Sequence, residues 1–300
     1  MHLFLAKNAQ TVQAMSAVLL AALLFSCMFA FPKSAEISLP WYQIVFIRYC
    51  GGLLFLLPAA LTWKSRGNSL TSNYTLIHFG RMLAGIGSVA CVVIAATQIA
   101  LVDVITISFS KGAIVLLLAG VLLGERVFPR HWFAVITSIS GAALVAYGSK
   151  NGESQNLLHP ASLLALLGTF CMAAEVIIIK FVSRREAIPV TLLYVNGMAT
   201  ALLLFPALFC GHWTNLAAWW PILLMGPVAI LGQSLNLFAY RKVDVILLTP
   251  LSYSSIAFSA IIGILAFGEP LRWTTVVGAT VIILGSLLGM GWWKKQLAAS

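Results

Sequence analysis

The chain has 300 residues, of which 61% are hydrophobic and 9% charged, and its mean hydropathy is +0.99. Soluble domains contain about 25% charged residues, so this composition excludes an ordinary soluble protein and indicates a polytopic membrane protein. The formal net charge is +10, which we interpret as an orientation and lipid-surface signal and not as a sign of nucleic-acid binding.

Charged, Pro- and Gly-containing breaks divide the chain into ten apolar runs. Each run has roughly 18 to 25 residues, the length that a helix needs to cross the hydrocarbon core. We therefore predict an all-α polytopic membrane protein with ten transmembrane helices and no soluble domain. The first run is predicted to be an uncleaved helix and not a signal peptide, because nine more follow. The predicted spans are 13–31, 41–63, 76–98, 103–123, 130–149, 159–180, 189–210, 219–240, 244–268 and 271–293.

The basic residues are distributed unevenly between the two sides of the predicted spans. If the N-terminus is cytoplasmic, 12 of the 18 Lys and Arg residues lie in inside segments and three in outside loops. Such an excess in the inside loops is the usual determinant of orientation. We therefore predict a multi-pass protein of the inner (plasma) membrane with both termini in the cytoplasm. The remaining three basic residues lie within spans and are Arg48, Arg81 and Lys111.

The sequence also contains an internal repeat. LVDVI from Leu101 and KVDVI from Lys242 open the fourth and ninth spans. GERVFPRHWFAVITSISGAALV at the end of the fourth span likewise resembles GEPLRWTTVVGATVIILGSLLG at the end of the ninth. Each unit has five spans, an odd number, so the second copy enters the membrane from the opposite side. We predict two inverted five-helix repeats, 1–150 and 151–300, with a site at their interface near the midplane.

This repeated pattern resembles the drug/metabolite transporter (DMT) superfamily, specifically its EamA-type members. The resemblance covers essentially the whole chain, and the two GE-containing stretches are its most specific part. It implies a ten-helix inverted-repeat fold whose central cavity is lined mainly by helices 1, 3, 4, 6, 8 and 9. It also implies transport of small metabolites such as amino acids, nucleosides, vitamins or S-adenosylmethionine. The chain departs from the family pattern at Lys111, where members often have a small residue or Pro.

Lys111 has no charged neighbour for seven positions before it and thirteen after it. At about 1.5 Å per residue, Lys111 lies about 12 Å and Arg48 about 10 Å from the outer end of its span, where we expect no acid from a neighbouring span. A charge at this depth costs at least ~2.5–3.5 kcal/mol and usually marks a transport pathway. We predict that Lys111, with Arg48 and the nearby Ser108, binds a carboxylate or phosphate of the cargo. The alternatives are a structural role for Lys111, and an Arg48 that bonds backbone carbonyls or extends to the outer interface.

Glu175 is the one acid of the sequence that lies well inside a predicted span. It is roughly 7 Å from the inner end of the sixth span, a depth comparable to that of Arg81 in the third. We predict an ion pair between them, either a permanent brace or a gate that opens when cargo or a proton arrives. Desolvation favours the neutral carboxyl, which suits proton coupling. A position of Glu175 at the lipid interface, near Lys180, is the remaining alternative.

The eighth and ninth spans contain further polar residues. Pro250 interrupts the ninth span in TPLSYSSIAFS, and freed carbonyls and hydroxyls are tolerated at depth only where protein or a cavity satisfies them. Gln233 and Asn236 share one face of the eighth span. We predict that Tyr253 and Asn236 contact the cargo, and the alternative is that these polar groups hold helices together.

The sequence contains no HExxH, GxSxG or Walker motif, and its five cysteines lie in apolar runs, where they act as packing residues. We therefore predict a secondary active transporter that works by alternating access, is not an enzyme and has no cofactor or metal. Its predicted partners are a small-molecule metabolite, the lipid bilayer and, if transport is proton-driven, protons. It is expected to be a monomer or homodimer that binds no nucleic acid. A channel-like or structural membrane helper protein is the alternative.

Overall fold

The computed structural model describes most of the chain, and every regular element in the part that it describes is a helix. The all-α prediction is therefore confirmed for these residues. Most of the predicted tenth span, both GE motifs apart from Gly124, and the beginning of the fourth span lie outside them. The described residues are 2–34, 39–96, 107–108, 110–124, 129–148, 160–211, 213, 219–267, 273, 276–278, 280–281 and 284.

The helices follow the predicted spans closely where the apolar runs are long. In the first half they are α1 (His2–Ser34), α2 (Trp41–Ser65), α3 (Thr75–Ala96), α4 (Lys111–Leu123) and α5 (Pro129–Gly148). In the second half they are α6 (Pro160–Ser183), α7 (Ile188–Cys210), α8 (Trp220–Leu223), α9 (Met225–Lys242), α10 (Val245–Ser252) and α11 (Ser254–Phe267). Together α8 and α9 form the predicted eighth span, and α10 and α11 form the ninth.

Five helical stretches are long and apolar enough, by length and composition, to cross a membrane. They are Gln10–Met28, Trp41–Ser65, Leu163–Ser183, Ile188–Cys210 and Trp220–Lys242. Shorter apolar helices occupy Thr75–Cys91, Ile114–Leu123 and Ala257–Ala266. The protein is therefore a multi-pass membrane protein, while the count of ten spans stays a prediction.

The most extensive helix contacts join the two halves of the chain. They pair α3 with α6, α1 with α9, and α2 with α7. The counterpart of each span in the first half lies five spans later, so α6 corresponds to α1, α7 to α2, and the eighth span, which includes α9, to α3. The α1–α9 pair therefore corresponds to the α6–α3 pair, and the α2–α7 pair corresponds to itself. The contact pattern therefore has the internal symmetry that two related halves would produce.

The ninth span is interrupted at Tyr253, three residues after the Pro250 that predicted the break. Ser252 Oγ donates a hydrogen bond to the Thr249 carbonyl at 2.7 Å. In a continuous helix that carbonyl would accept from the backbone N–H of Tyr253, so the side-chain hydroxyl competes with the helical bond. The break therefore lies next to Ser252, whose hydroxyl takes up a carbonyl of the preceding turn.

The fourth span is interrupted by a turn at Ser110, which the sequence did not predict. Ile107 and Ser108 are helical, the Ser110 N–H donates to the Ile107 carbonyl at 3.0 Å, and α4 begins at Lys111. Matching the two VDVI motifs or the two GE motifs places Lys111 opposite residues 252 to 255 of the second half. The start of α4 and the interruption of the ninth span are therefore equivalent positions of the two halves.

A close backbone contact fixes the crossing of α2 and α9. A Cβ added at Gly226 would lie 2.3 Å from the Gly52 nitrogen and 2.5 Å from the Gly51 carbonyl carbon. These distances leave no room for any side chain, so the crossing requires glycine at position 226.

Buried apolar side chains form three clusters, of which two are large. The first large cluster includes Ala173 and Ile177 of α6, and the second includes Tyr49 of α2 and Met82 of α3. Glu175 lies between Ala173 and Ile177 along α6, which packs against α3. The polar residues described next therefore lie on helices that contribute to the two large clusters.

Candidate functional site

Arg81 of α3 and Glu175 of α6 form an ion pair inside the helix bundle. Arg81 Nε lies 3.8 Å from Glu175 Oε1, and the Arg81 side chain is 0% exposed. Arg81 Nη2 also donates a hydrogen bond to Gln233 Oε1 of α9 at 3.2 Å. The pairing predicted from depth is therefore present, and α3, α6 and α9 meet at this guanidinium. Its gating or coupling role stays a prediction.

Arg81 has more donors than partners in the described part of the chain. Its Nε and Nη1 atoms are buried there without a hydrogen-bond partner, because 3.8 Å to the carboxylate exceeds hydrogen-bond distance. An unpaired buried donor costs about 1–3 kcal/mol, more when the group is charged. These N–H groups are therefore available to a further acceptor.

A glycine near Glu175 allows the Tyr49 hydroxyl to approach α3 closely. A Cβ added at Gly85 would lie 2.8 Å from Tyr49 Oη and 3.7 Å from Glu175 Oε1. Lys111 and Tyr240 also interact electrostatically with Glu175. Side chains of α2, α4, α6 and α9 thus converge around one carboxylate, which is 21% exposed.

Lys111 is half-buried. The depth estimate counted residues from Asp103, which lies outside the described residues. We expected no acid of a neighbouring span at the depth of Lys111, and Glu175 of α6 interacts with Lys111 electrostatically. The role of Lys111 in cargo binding stays a prediction.

Arg48 of α2 lies beside the same group of residues. Its guanidinium carbon is 5.1 Å from the centre of the Tyr49 ring, a distance typical of a cation–π contact. Arg48 Nε is buried and has no hydrogen-bond partner among the described residues. We call the following residues the central cluster: Arg48, Tyr49, Arg81, Lys111, Glu175 and Gln233.

Tyr253 is brought next to Lys111 but is enclosed. It is 3% exposed, and its hydroxyl is hydrogen-bonded to the backbone N–H of Gly112. It therefore holds the first turn of α4, which carries Lys111. Ser108 and Asn236 are half-buried, and their predicted contact with cargo stays a prediction.

A second polar group lies at the inner end, the end predicted to face the cytoplasm. His78 Nε2 lies 2.7 Å from Glu186 Oε2 and 3.1 Å from Ser72 Oγ. Ser72 Oγ also donates to Glu186 Oε1, and the Ser72 N–H donates to Tyr194 Oη at 3.1 Å. We call Ser72, His78, Glu186 and Tyr194 the inner cluster. Sequence reasoning missed it, because it noted only that histidines lie near span ends.

Basic residues form ion pairs and hydrogen bonds between helices at the same inner end. Arg184 Nη2 donates to Asp244 Oδ1 at 3.1 Å, and Lys180 Nζ lies 3.6 Å from the same oxygen. Lys242 Nζ donates to Gln13 Oε1 at 2.8 Å, which joins α9 to α1. Lys180 thus pairs with Asp244, while Glu175 pairs with Arg81. The alternative position of Glu175 at the lipid interface stays a prediction.

Comparison with known proteins gives three findings. A model of the EamA-like transporter family matches residues 12–147 and 159–290. The chain is 26% identical over 264 residues to the S-adenosylmethionine uptake transporter of Rickettsia bellii (strain RML369-C), covering 86% of each protein. A crystal structure of another protein superposes with a TM-score of 0.81 at 17% identity, over 94% of this chain and 98% of that chain. The last likeness shows a shared fold.

Proposed function

The chain belongs to the EamA-like transporter family, and we propose that it is a secondary active transporter that moves a small metabolite across the inner membrane by alternating access. The central cluster is the observation that carries this proposal. Charged side chains inside a bundle of apolar helices are costly, and they usually border a transport pathway. Here they lie between helices of the two halves, where transporters built from inverted repeats place their sites.

The proposed cargo is a small polar or amphipathic metabolite that carries a negative group. The relative that transports S-adenosylmethionine supports a cargo of that class. Amino acids, nucleosides and vitamins are the other members of the proposed range. Lys111 and Arg48 hold the anionic group, Ser108 and Asn236 contact the rest, and Tyr253 keeps Lys111 in position.

Alternating access is proposed to occur by rocking of two halves, 1–150 and 151–300. The symmetric contact pattern of the helix pairs supports this, since related halves can exchange roles. The inner cluster closes the inner face: Ser72 and His78 belong to the first half, and Glu186 and Tyr194 to the second. These contacts must separate before cargo can leave towards the cytoplasm, where both termini are proposed to lie.

The Arg81–Glu175 pair is the proposed gating or coupling element, with Glu175 taking up a proton if transport is proton-driven. A monomer suffices for this mechanism, and a homodimer would place two such pathways side by side. The channel-like or structural alternative predicts no saturation of flux.

Counterflow in liposomes tests the proposed function. The purified protein is reconstituted with unlabelled S-adenosylmethionine inside, and uptake of labelled S-adenosylmethionine is followed over a concentration series. We expect saturable uptake by the wild type, loss in Lys111→Ala, and retention in Lys64→Ala, a matched change at an exposed lysine at the end of α2. Uptake that rises linearly without saturation would favour a channel, and no uptake by folded protein would contradict this cargo.

A further inference from the structure

We propose that the Arg81–Glu175 pair is itself a cargo-binding pair: a zwitterionic cargo places its carboxylate, which Lys111 and Arg48 also attract, at Arg81 and its cationic group at Glu175. The internal ion pair of the empty protein is thereby replaced by two ion pairs with the cargo. This inference rests on the proposed function and deepens it, because it makes the two residues determinants of specificity for cargo that carries both charges.

The geometry of the pair is unsuited to a permanent brace. A buried ion pair offsets its desolvation only when the charges meet closely and their remaining hydrogen bonds are satisfied. Arg81 and Glu175 are 3.8 Å apart through a single nitrogen, whereas a bidentate arginine–carboxylate contact has two short parallel bonds. Arg81 Nε and Nη1 have no hydrogen-bond partner among the described residues. A cargo carboxylate is the acceptor that would satisfy both.

The two partners differ in how they can be approached. Arg81 is 0% exposed while 21% of the Glu175 side chain is accessible. Gly85 has no side chain to cover the carboxylate, and the Tyr49 hydroxyl lies close to the place where its Cβ would be. A cationic group of the cargo can therefore reach Glu175 before the carboxylate reaches the deeper guanidinium. Arg81 Nη2 donates to Gln233 and not to Glu175. This hydrogen bond can therefore keep the guanidinium in position when Glu175 pairs with the cargo.

The charges of the central cluster favour a zwitterion over simpler cargo. The cluster contains three cationic side chains, Arg48, Arg81 and Lys111, and one acid, Glu175. A purely cationic cargo would add to an existing positive excess. A purely anionic cargo would satisfy Arg81 but would leave Glu175 next to a new negative charge. A cargo with a carboxylate and a cationic group satisfies both members of the pair.

Matched ligands separate the two contacts. S-adenosylmethionine has a carboxylate, an ammonium and a sulfonium group, its decarboxylated form lacks only the carboxylate, and S-adenosylhomocysteine lacks the sulfonium but remains zwitterionic. L-methionine and its decarboxylated amine form a second pair without the nucleoside. Dissociation constants are measured by calorimetry on the purified protein, with wild type, Arg81→Gln, Glu175→Gln, the double variant and Lys64→Ala.

We expect wild type and Lys64→Ala to prefer each zwitterion to its decarboxylated partner. Arg81→Gln should reduce that preference and Glu175→Gln should weaken binding of the zwitterions, each by about tenfold or more, because each change removes a contact with one charge of the cargo. The double variant is the decisive case. Removing both members of a structural brace removes one positive and one negative charge together, so a brace predicts near-normal binding there. The cargo-binding pair predicts that binding stays weakened while the ligand-free melting temperature recovers.

Three results would overturn the inference. In the first, the wild type binds each zwitterion and its decarboxylated partner equally well. In the second, the wild type binds none of the zwitterions. In the third, the double variant binds the zwitterions as tightly as the wild type does. Binding of L-methionine without S-adenosylmethionine would reject S-adenosylmethionine as the cargo and keep the pair. Zwitterion binding without any flux in liposomes would reject the transporter and likewise keep the pair.

Discussion

The hydroxyl of Tyr253 lies against the backbone of Gly112, at the first turn of α4. A Cβ added at Gly112 would lie 1.6 Å from Tyr253 Oη and 2.7 Å from Tyr253 Cζ. The interruption of the ninth span therefore packs directly on the start of the helix that carries Lys111. Since these are equivalent positions of the two halves, the contact joins the halves at the proposed site.

The first prediction concerns this contact. We expect Gly112→Ala to lower the free energy of unfolding by about 1–3 kcal/mol, because a methyl group there overpacks a buried contact. Thermal denaturation in detergent measures the effect. The control is Gly197→Ala, since a Cβ at Gly197 would meet no atom within 4 Å. In a Tyr253→Ala background, Gly112→Ala should cost much less, because the ring that it meets is gone. Equal costs with and without Tyr253 would show that the contact is not responsible.

The second prediction concerns the crossing of α2 and α9. Gly226→Ala should be more damaging than Gly112→Ala, because the added Cβ would meet backbone atoms of Gly51 and Gly52, which cannot rotate away as a side chain can. We expect little monodisperse protein after extraction, as judged by size-exclusion chromatography. Gly80→Ala on α3 is the control, with no atom within 4 Å of its Cβ. A normal yield of Gly226→Ala would mean that the two helices can separate at no cost.

Long uninterrupted helices are the part of the fold that could be predicted from sequence. For α2 and α7 the predicted spans 41–63 and 189–210 agree with Trp41–Ser65 and Ile188–Cys210 within two residues at each end. Counting residues from the ends of such helices also predicted that Arg81 and Glu175 lie at a similar depth and can pair, because rise per residue is constant along a regular helix.

The same counting is less informative where a helix is interrupted. The fourth span is interrupted at Ser110, next to Lys111, and the span's predicted outer end lies outside the described residues. The His78–Glu186 contact was missed for a different reason. The two residues are 108 positions apart, and Glu186 lies in the loop after α6, where hydropathy has no periodicity to place it. The close backbone contact at Gly226 could not be predicted either, because glycine and alanine are equally compatible with an apolar run.

The third prediction concerns closure of the inner face. Glu186→Gln removes the charge that pairs with His78, a residue that is fully buried, and should weaken the inner cluster. The reporter is Ser183→Cys, a thiol introduced at a buried position of α6. We expect this thiol to react several-fold faster with N-ethylmaleimide when Glu186→Gln is added, because more of the protein then opens inward. Mass spectrometry of the labelled peptide distinguishes it from the five native cysteines.

The matched control for this labelling is Glu36→Gln, an acid in a predicted outer loop. Combined with Ser183→Cys, it should leave the labelling rate equal to that of Ser183→Cys alone. If Glu186→Gln slowed labelling or left it unchanged, the inner cluster would not be a closing contact.

The fourth prediction decides between the two interpretations of Arg48. If Arg48 helps to hold the anionic group, Arg48→Gln should weaken binding of S-adenosylmethionine by about tenfold, the effect of losing one charged hydrogen bond. If Arg48 serves only the backbone or the outer interface, affinity should be unchanged. Its buried and unpartnered Nε among the described residues favours the first outcome. Arg66→Gln is the control, because Arg66 is exposed just after α2. Calorimetric titration of both variants, each first checked for an unchanged melting temperature, separates a lost cargo contact from a general loss of structure.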